Sequence, residues 1–191
     1  MSKYVDATAV VQVIGNIYVN PSLLDLEDKY FFNEEDFTEK FHKILFGAIY
    51  NLHALGAKEI SISAIEDYLA QRPKDKSVYV AYKGAEYLQN ISKNVQLAAF
   101  DYYYNRMKKM TLLRAYDKIG VDVSDIYDPD NILDAKKKQR QEEYLDNAQL
   151  TDIANKIDAK IEEIKSRYID EVDNEAVDAA AGIDALFDRL A

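Results

Sequence analysis

The sequence predicts an all-α protein in which a compact helical domain is followed by a linker and an extended amphipathic helix. Apolar residues recur at spacings of three and four along most of the chain, as on one face of an α-helix. No segment shows the sustained alternation of apolar and polar residues that a half-buried strand needs. With 48% hydrophobic residues among 191, the chain has enough apolar surface for one core.

The first two helices are delimited by residues that start or stop a helix. The apolar segment 7–19 ends at "NP", where Asn20 caps a second helix that has Pro21 in its first turn. A longer helix follows at 36–55, because its apolar residues fall along one broad face. Gly56 supplies the stop of that helix.

Three further helices complete the predicted domain. "KEISIS" allows a short extended piece, after which Ser61 or Ser63 caps a helix that ends before Pro73. The apolar spacing then predicts a helix at 77–91 and a long one at 95–119.

The composition changes after residue 120. "VDVSDIYDPDN" is acidic, rich in turn residues and poor in apolar anchors, and the charged stretch after it is typical of a solvated or mobile segment. We therefore expect a helical domain at 1–120, a linker at 121–148, a docking helix at 149–169 and the start of a further, truncated domain at 170–191. Ile183, Leu186, Phe187 and Leu190 form an amphipathic piece in that last segment.

The expected docking helix carries a narrow apolar stripe on an otherwise polar helix. Such a helix gains stability only by burying its apolar face, so the stripe predicts a docking seam. The stripe consists of Leu150, Ile153, Ile157, Ile161, Ile164 and Tyr168.

Composition argues against several classes of function. The 24 basic and 34 acidic residues leave a net charge of −10, the wrong sign for a protein that holds DNA by neutralising phosphates. The absence of cysteine excludes disulfides, thiolate chemistry and cysteine zinc sites, and the dipeptide Gly-Lys of a phosphate-binding loop occurs nowhere. Without a signal-like or membrane-spanning apolar run, we expect a soluble cytoplasmic chain.

No catalytic, cofactor-binding or metal-binding residues are predicted. His42 and His53 lie eleven residues apart, about 16 Å along one helix, and are too distant to share a metal ion. We expect them at the edge of a buried face. The acidic pairs at 34–35 and 142–143 are typical of solvated faces rather than of acid-base dyads.

The stretch "QLAAFDYYYNRMKKM" combines consecutive tyrosines with basic residues on one helix. Tyr102, Arg106 and Lys109 share one side, where they would meet solvent, a protein partner or single-stranded DNA, with DNA disfavoured by the net charge. A helical wheel places an apolar packing face on the other side, made of Phe100, Tyr103, Tyr104, Met107 and Met110. A second apolar face near the end suggests neighbours on both sides, one of which would be another copy of the chain.

Several of these residues resemble a family pattern, that of the N-terminal domain of DnaB-type replicative DNA helicases. The run "DFTEKFHKILFGAIYNLHALG" is similar to the family's second-helix pattern through Phe37, His42, Leu45, Phe46, Leu52 and Gly56. The other matching positions are Ile14, Gly15, Gly84, Tyr87, Leu88, Ile91, Tyr103, Leu112, Leu113 and Arg114. The resemblance covers 7–119 and departs from the pattern at Lys83, in place of a glycine, and at "AKEISIS". A divergent, phage-encoded member would fit those departures.

The resemblance implies an assembly role. In that family the all-helical domain ends in a helical hairpin that pairs with a second copy, and three dimers form a collar on a hexamer that unwinds DNA 5′ to 3′. A linker helix then docks on the motor domain of an adjacent subunit, which matches the position of 149–169. ATP and Mg²⁺ would belong to the parent helicase, with none in this chain. Self, primase and a helicase loader are the expected partners, and DNA would be bound through the parent hexamer.

The resemblance leaves two interpretations open. The leading one is an oligomerisation and partner-recruitment module of a replicative helicase in a bacterial cell or a phage-infected bacterium. The alternative is a free-standing loader or inhibitor protein that binds a helicase in trans. A reading frame that continues into Gly-Lys-Ser or Gly-Lys-Thr would favour the first, and a stop codon after Ala191 the second.

Overall fold

A computed structural model describes residues 3–170 of the chain, and these residues are helical with connecting loops and no strand. The expected all-α class is confirmed. The helices are α1 Ala7–Val19, α2 Lys40–Ala54, α3 Ile62–Ala70, α4 Pro73–Ala81, α5 Gly84–Ser92, α6 Phe100–Lys118, α7 Ala135–Asn147 and α8 Leu150–Lys165. Short 3₁₀ turns lie at Pro21–Asp25, Glu34–Asp36 and Leu97–Ala99, and a π turn at Ser166–Asp170.

Local capping explains where the early helices begin. The Asp6 carboxylate accepts a hydrogen bond from the Ala9 amide at 2.9 Å at the start of α1, and the Ser61 hydroxyl accepts one from the Ala64 amide at 3.1 Å at the start of α3. The helix expected from residue 36 begins only at Lys40. The preceding residues form a separate 3₁₀ turn that Asn33 caps.

The helix expected at 77–91 is two helices, so that prediction is wrong. α4 ends at Ala81, and Lys83 turns the chain with φ 52° and ψ 51°, in the left-handed region. The turn lets the ring of Tyr79 lie against Gly84, where a β-carbon would come within 2.1 Å of that ring. The break therefore depends on a packing contact that apolar spacing does not reveal.

The described chain divides after Asp146 into two compact units. In the first unit, α1 packs against α2, α5 and α6, and α3 and α4 cover the other side of α2. Its centre is aliphatic, and the fully buried side chains there are Val13, Ile14, Ile17, Leu45, Ile49, Ile65, Leu69 and Leu88. We call α1 to α5, together with the side of α6 that packs against α1, the head.

The first unit also contains a helical hairpin made of α6, the loop 119–134 and α7. The end of α7 lies beside the first half of α6, since Asp146 accepts a hydrogen bond from Tyr102. The loop was expected to be poor in apolar anchors, yet Val123 and Ile126 are completely buried. The domain boundary expected at residue 120 stays a prediction, although the contacts group 121–146 with the head.

The second unit contains α8, whose beginning lies within the expected docking helix 149–169. Ile153 and Ile157 are buried, whereas Ile164 and Tyr168 near its end are exposed. The expected start of a further domain, with Ile183, Leu186, Phe187 and Leu190, lies outside the described residues.

Candidate protein-interaction surfaces

Arg106 is the centre of a charged junction between α6, α7 and the start of α1. Its side chain is only 7% exposed. The Nε atom lies 3.0 Å from an Asp6 oxygen, one terminal nitrogen lies 3.1 Å from an Asp146 oxygen, and the other contacts Glu142. The three carboxylates therefore hold one guanidinium from three directions, which fixes its orientation. We call this set the arginine junction.

The arginine junction keeps the guanidinium charged despite its burial. Burial by itself lowers the pKa of Arg106, but the hydrogen bonds and charges of Glu142 and Asp6 outweigh it and raise the pKa overall. The Tyr127 ring adds a cation–π contact, with its centroid 5.9 Å from the guanidinium carbon. Lys109 is also buried and donates to the main-chain carbonyl of Leu145 in α7.

The structure therefore places the predicted trio of Tyr102, Arg106 and Lys109 against α7. Only Tyr102 is substantially exposed, at 49%, and its hydroxyl donates to Asp146 at 3.1 Å. A contact of this trio with a partner or with DNA stays a prediction, but all three side chains make hydrogen bonds inside the chain, and two of them are buried. The expectation of a solvated face is wrong for Glu142, which pairs with Arg106.

Sequence reasoning missed the carboxylates of the arginine junction. Glu142 and Asp146 are four residues apart and so share one face of α7. That spacing was an available signal, but nothing local indicates that their face meets α6. Asp6 caps α1 in the structure and lies a hundred residues before Arg106, so no local pattern links the two residues.

The predicted dimer face of α6 is mostly core of this chain. Phe100, Tyr104, Met107 and Met110 are buried, and Tyr103 is half-buried. The ring of Tyr30 stands edge-on to Phe100 and Tyr104, with centroids 4.9 Å from each. The dimer contact of these five residues stays a prediction, and four of them have almost no surface left for a second copy.

Exposed apolar residues instead lie at the tip of the hairpin. Ile132 is 89% exposed and Leu133 is 97% exposed, and Ile119 at the end of α6 is also exposed. Large aliphatic side chains with so little cover are unfavourable in water. We call these three residues the hairpin tip.

The burial of the expected docking seam decreases along α8. Its first part is buried, with Leu150 and Ile161 half-buried, and its last part is exposed at Ile164, Tyr168 and the neighbouring Ile169. The exposed end is compatible with the predicted docking face, which no contact described here tests.

A glycine occupies the middle of the outer face of α2. A methyl group added at Gly47 would meet no described atom within 4 Å, so packing inside the chain does not require a glycine. In a helix interior, glycine costs about 1 kcal/mol relative to alanine. Gly47 lies between two surface hollows, of about 280 and 360 Å³.

The two histidines have separate partners, as their spacing requires. The Nε2 atom of His42 lies 3.1 Å from the hydroxyl of Tyr87, and burial lowers the pKa of His42 and raises that of Tyr87 to about 12. His53 contacts the carboxylate of Asp25 at 2.6 Å. Within residues 3–170, no group of three or more His, Cys, Asp or Glu side chains could hold a metal ion.

None of the described helices is both long enough and apolar enough to cross a membrane.

These features define the described part of the chain as an all-helical domain with a helical hairpin. The profile of the DnaB-like helicase N terminal domain matches residues 4–109, more than half of the chain, so the chain belongs to this family. The resemblance carried by the run from Phe37 to Gly56 is thereby confirmed.

A curated relative extends the similarity over nearly the whole chain. The SPbeta prophage-derived uncharacterized protein YorI of Bacillus subtilis (strain 168) is 32% identical over 185 residues, which are 97% of this chain. The chain spans only 36% of the length of that relative. No solved structure matches the chain significantly. The prophage origin of the relative supports the expectation of a phage-encoded member.

Proposed function

We propose that this chain is the oligomerisation and partner-recruitment module of a hexameric replicative DNA helicase. The observation that carries the proposal is family membership joined to a hairpin whose tip exposes Ile132 and Leu133. The length of the relative, of which the matched region is 36%, supports a parent protein with further domains. In that parent, ATP and Mg²⁺ would act at a motor domain that drives 5′-to-3′ unwinding.

Self-association would use the hairpin, through surfaces other than the buried face of α6. The hairpin tip supplies apolar area, and the outer face of α7 supplies charge. Lys136, Lys138 and Arg140 are exposed in its first half, whereas the acidic Glu143 is exposed in its second half. In a two-fold arrangement each basic half would face the acidic half of the other copy, which is self-complementary.

The exposed end of α8 would serve as the docking helix of the parent hexamer. Ile164 and Tyr168 are the uncovered residues of its apolar stripe. In this role they would contact the motor domain of an adjacent subunit, while the head would recruit a primase or a helicase loader. DNA would be held by the assembled parent, with weak or no binding by this chain because its net charge is −10.

Sedimentation of the purified chain at tens of micromolar tests the assembly claim. We expect dimers or larger assemblies for the natural sequence and monomers for the Ile132→Ser, Leu133→Ser double variant. Leu55→Ser is the matched control, because Leu55 is also an exposed leucine but lies at the end of α2. Monomers of the natural sequence, or dimers that the double variant leaves unchanged, would contradict the hairpin contact.

Titration with a labelled single-stranded oligonucleotide tests the assignment of DNA to the parent hexamer. We expect at most weak binding at low salt. Tight and salt-sensitive binding would show that the chain itself holds DNA, because release of counterions makes such binding fall steeply with salt. Tyr102→Ala would then show whether the exposed tyrosine of the predicted trio takes part.

A further inference from the structure

The outer face of α2 forms a groove that neither the hairpin nor α8 explains. The two hollows beside Gly47 share Glu34, Lys43 and Gly47 as lining residues and so adjoin each other along α2. One end has an aromatic wall, made of Phe32, Phe37, Phe46 and Tyr50. The other end is lined by Tyr68 and Arg72 at the far side. We call the two hollows together the α2 groove.

The glycine at the centre of the α2 groove is the most informative residue. Because a β-carbon at position 47 would meet no atom of another described segment within 4 Å, alanine there would fit the described part of the chain and improve the helix. A glycine that destabilises its own helix is explained if the backbone of a second segment packs closely against it. Two helices cross at an axial distance of about 8–10 Å that depends on the side chains at the contact, and a glycine permits the closest approach.

The aromatic wall provides an apolar anchor site. The rings of Phe32 and Phe46 lie with centroids 5.2 Å apart, and those of Phe46 and Tyr50 with centroids 5.8 Å apart. Tyr50 is exposed and the other two rings are half-buried, so all three rings keep some exposed surface, although one face of Phe46 is stacked on Phe37 at a centroid distance of 4.6 Å. An aliphatic or aromatic side chain entering this hollow would bury its surface against three rings.

The charges of the α2 groove point to an acidic occupant. Lys40, Lys43 and Arg72 line the first hollow together with Glu34 and Asp75, which leaves an excess of one positive charge, and Lys43 pairs with Glu34 at 3.0 Å. Lys40 forms no ion pair within the described residues, and Arg72 reaches Asp75 only at 4.0 Å. In a chain of net charge −10 this is a locally cationic surface, which would attract carboxylates of a partner.

We propose that the α2 groove binds an acidic amphipathic helix of a partner protein. A small residue of that helix lies over Gly47, a bulky apolar residue enters the hollow beside Tyr50, and flanking carboxylates meet Lys40 and Arg72. The inference rests on the proposed recruitment role and names the surface and the chemistry of the recruited partner. A helix is favoured over nucleic acid because close approach at Gly47 and an apolar anchor both suit a helix face.

The probe is a fluorescein-labelled synthetic helix of about 18 residues, long enough to populate helix in solution. Its apolar stripe holds one phenylalanine with alanines at the neighbouring positions, and its other positions are glutamate and glutamine. A second peptide replaces every glutamate by lysine. We expect saturable anisotropy changes for the acidic peptide, with binding at least about tenfold tighter than for the lysine peptide.

Gly47→Ala separates binding from folding. We expect this variant to melt at a higher temperature than the natural chain and to bind the acidic peptide at least about fivefold more weakly. Asn90→Ala is the matched control, because it also improves an exposed helix position but lies on α5, outside the groove. It should raise the melting temperature and leave binding unchanged. The Lys40→Glu, Arg72→Glu double variant should abolish the preference for the acidic peptide.

Several results would overturn the proposal. They are absence of saturable binding of the acidic peptide, equal binding of the lysine peptide, and undiminished binding to Gly47→Ala. Competition by labelled oligothymidine would identify a nucleic-acid site instead. A loss of self-association on Gly47→Ala in sedimentation would identify a contact between copies. Because assembly is measured separately, failure of peptide binding leaves the test of the hairpin contact intact.

Discussion

The head and the hairpin are held together by different physics. The head buries aliphatic side chains such as Leu45 and Ile49 in its centre, where stabilisation scales with apolar area and has little directionality. The hairpin joins α7 to α6 through the arginine junction and Lys109, and a buried Gln141 joins α7 to the loop 119–134. Gln141 donates to the Ser124 carbonyl at 2.8 Å and accepts from the Asp128 amide at 3.1 Å.

From this difference we expect the head to provide most of the stability and the arginine junction to fix the position of α7. Replacing a buried ion pair by apolar residues is often neutral, whereas removing one partner leaves charges unsatisfied. α7 buries only Gln141 and Leu145. Its place beside α6 therefore depends on hydrogen bonds of defined geometry, and we expect it to open more readily than the head.

The largest effect should follow from a cavity in the head. Leu45→Ala removes a completely buried side chain and should lower the free energy of unfolding by about 2–5 kcal/mol. Urea unfolding followed by circular dichroism measures the loss. Leu55→Ala, at an exposed position, should change it by no more than about 0.5 kcal/mol. Similar losses for the two variants would contradict the assignment of the head as the stabilising region.

The arginine junction should give a smaller and more local effect. Arg106→Met leaves three carboxylates without their cation, but Glu142 and Asp146 are partly solvated and can turn to water. We expect a loss of about 2–3 kcal/mol, because the penalty for a fully buried charge is not reached. Amide hydrogen exchange should accelerate mainly in α7, while amides of α1 and α2 stay protected.

The control for this variant is Arg140→Met, which removes an exposed arginine from the same hairpin. It should leave exchange in α7 nearly unchanged. Uniform acceleration over head and hairpin in Arg106→Met would show that the two regions unfold as one unit, and the comparison between them would lose its meaning.

Acid should weaken the head through the buried His42. The pKa of His42 is lowered by burial, so the unfolded chain takes up the proton first as the pH falls below about 6.5. Its contribution is present above that pH and is lost on acidification, so the free energy of unfolding should decrease from about pH 7.5 to 5.5. Arg106 stays charged throughout this range.

Denaturant unfolding at both ends of this pH range measures the loss in the free energy of unfolding. The His42→Gln variant should show a smaller loss. A nuclear magnetic resonance titration provides the direct check. A His42 ring that titrates at or above its ordinary pKa would contradict the effect of burial. Asp101, whose pKa is lowered by hydrogen bonds from Tyr30 and Lys29, should titrate only at more acid pH.

The smallest expected effect is a gain in the stability of the head. Lys83 has a left-handed backbone, which favours glycine, and it stands where the family pattern has a glycine. Lys83→Gly should stabilise the chain by about 0.5–1 kcal/mol. Lys76→Gly, in the interior of α4, should instead destabilise it by about 1 kcal/mol. Thermal melts compare the two, and a loss in both would contradict strain at Lys83.

The sequence predicted the helices best where their ends are set locally. α1 spans the expected residues 7–19, because its apolar run and the residues that flank it lie next to one another in the chain. The prediction failed at 77–91, because the contact of Tyr79 with Gly84 decides the break there. The α2 groove had one local signal, a glycine inside a helix, but its walls come from segments that are distant in the chain.

The sequence by itself determined the all-α class and the family, since periodic apolar spacing and an ordered set of motif residues are properties of neighbouring positions. Only the tertiary structure decided which side of α6 is covered. Met107 faces the core of the head, and Arg106 beside it turns to α7. The reason is physical, because a charged residue is buried only where partners from other segments satisfy it, and those partners are positioned by the fold.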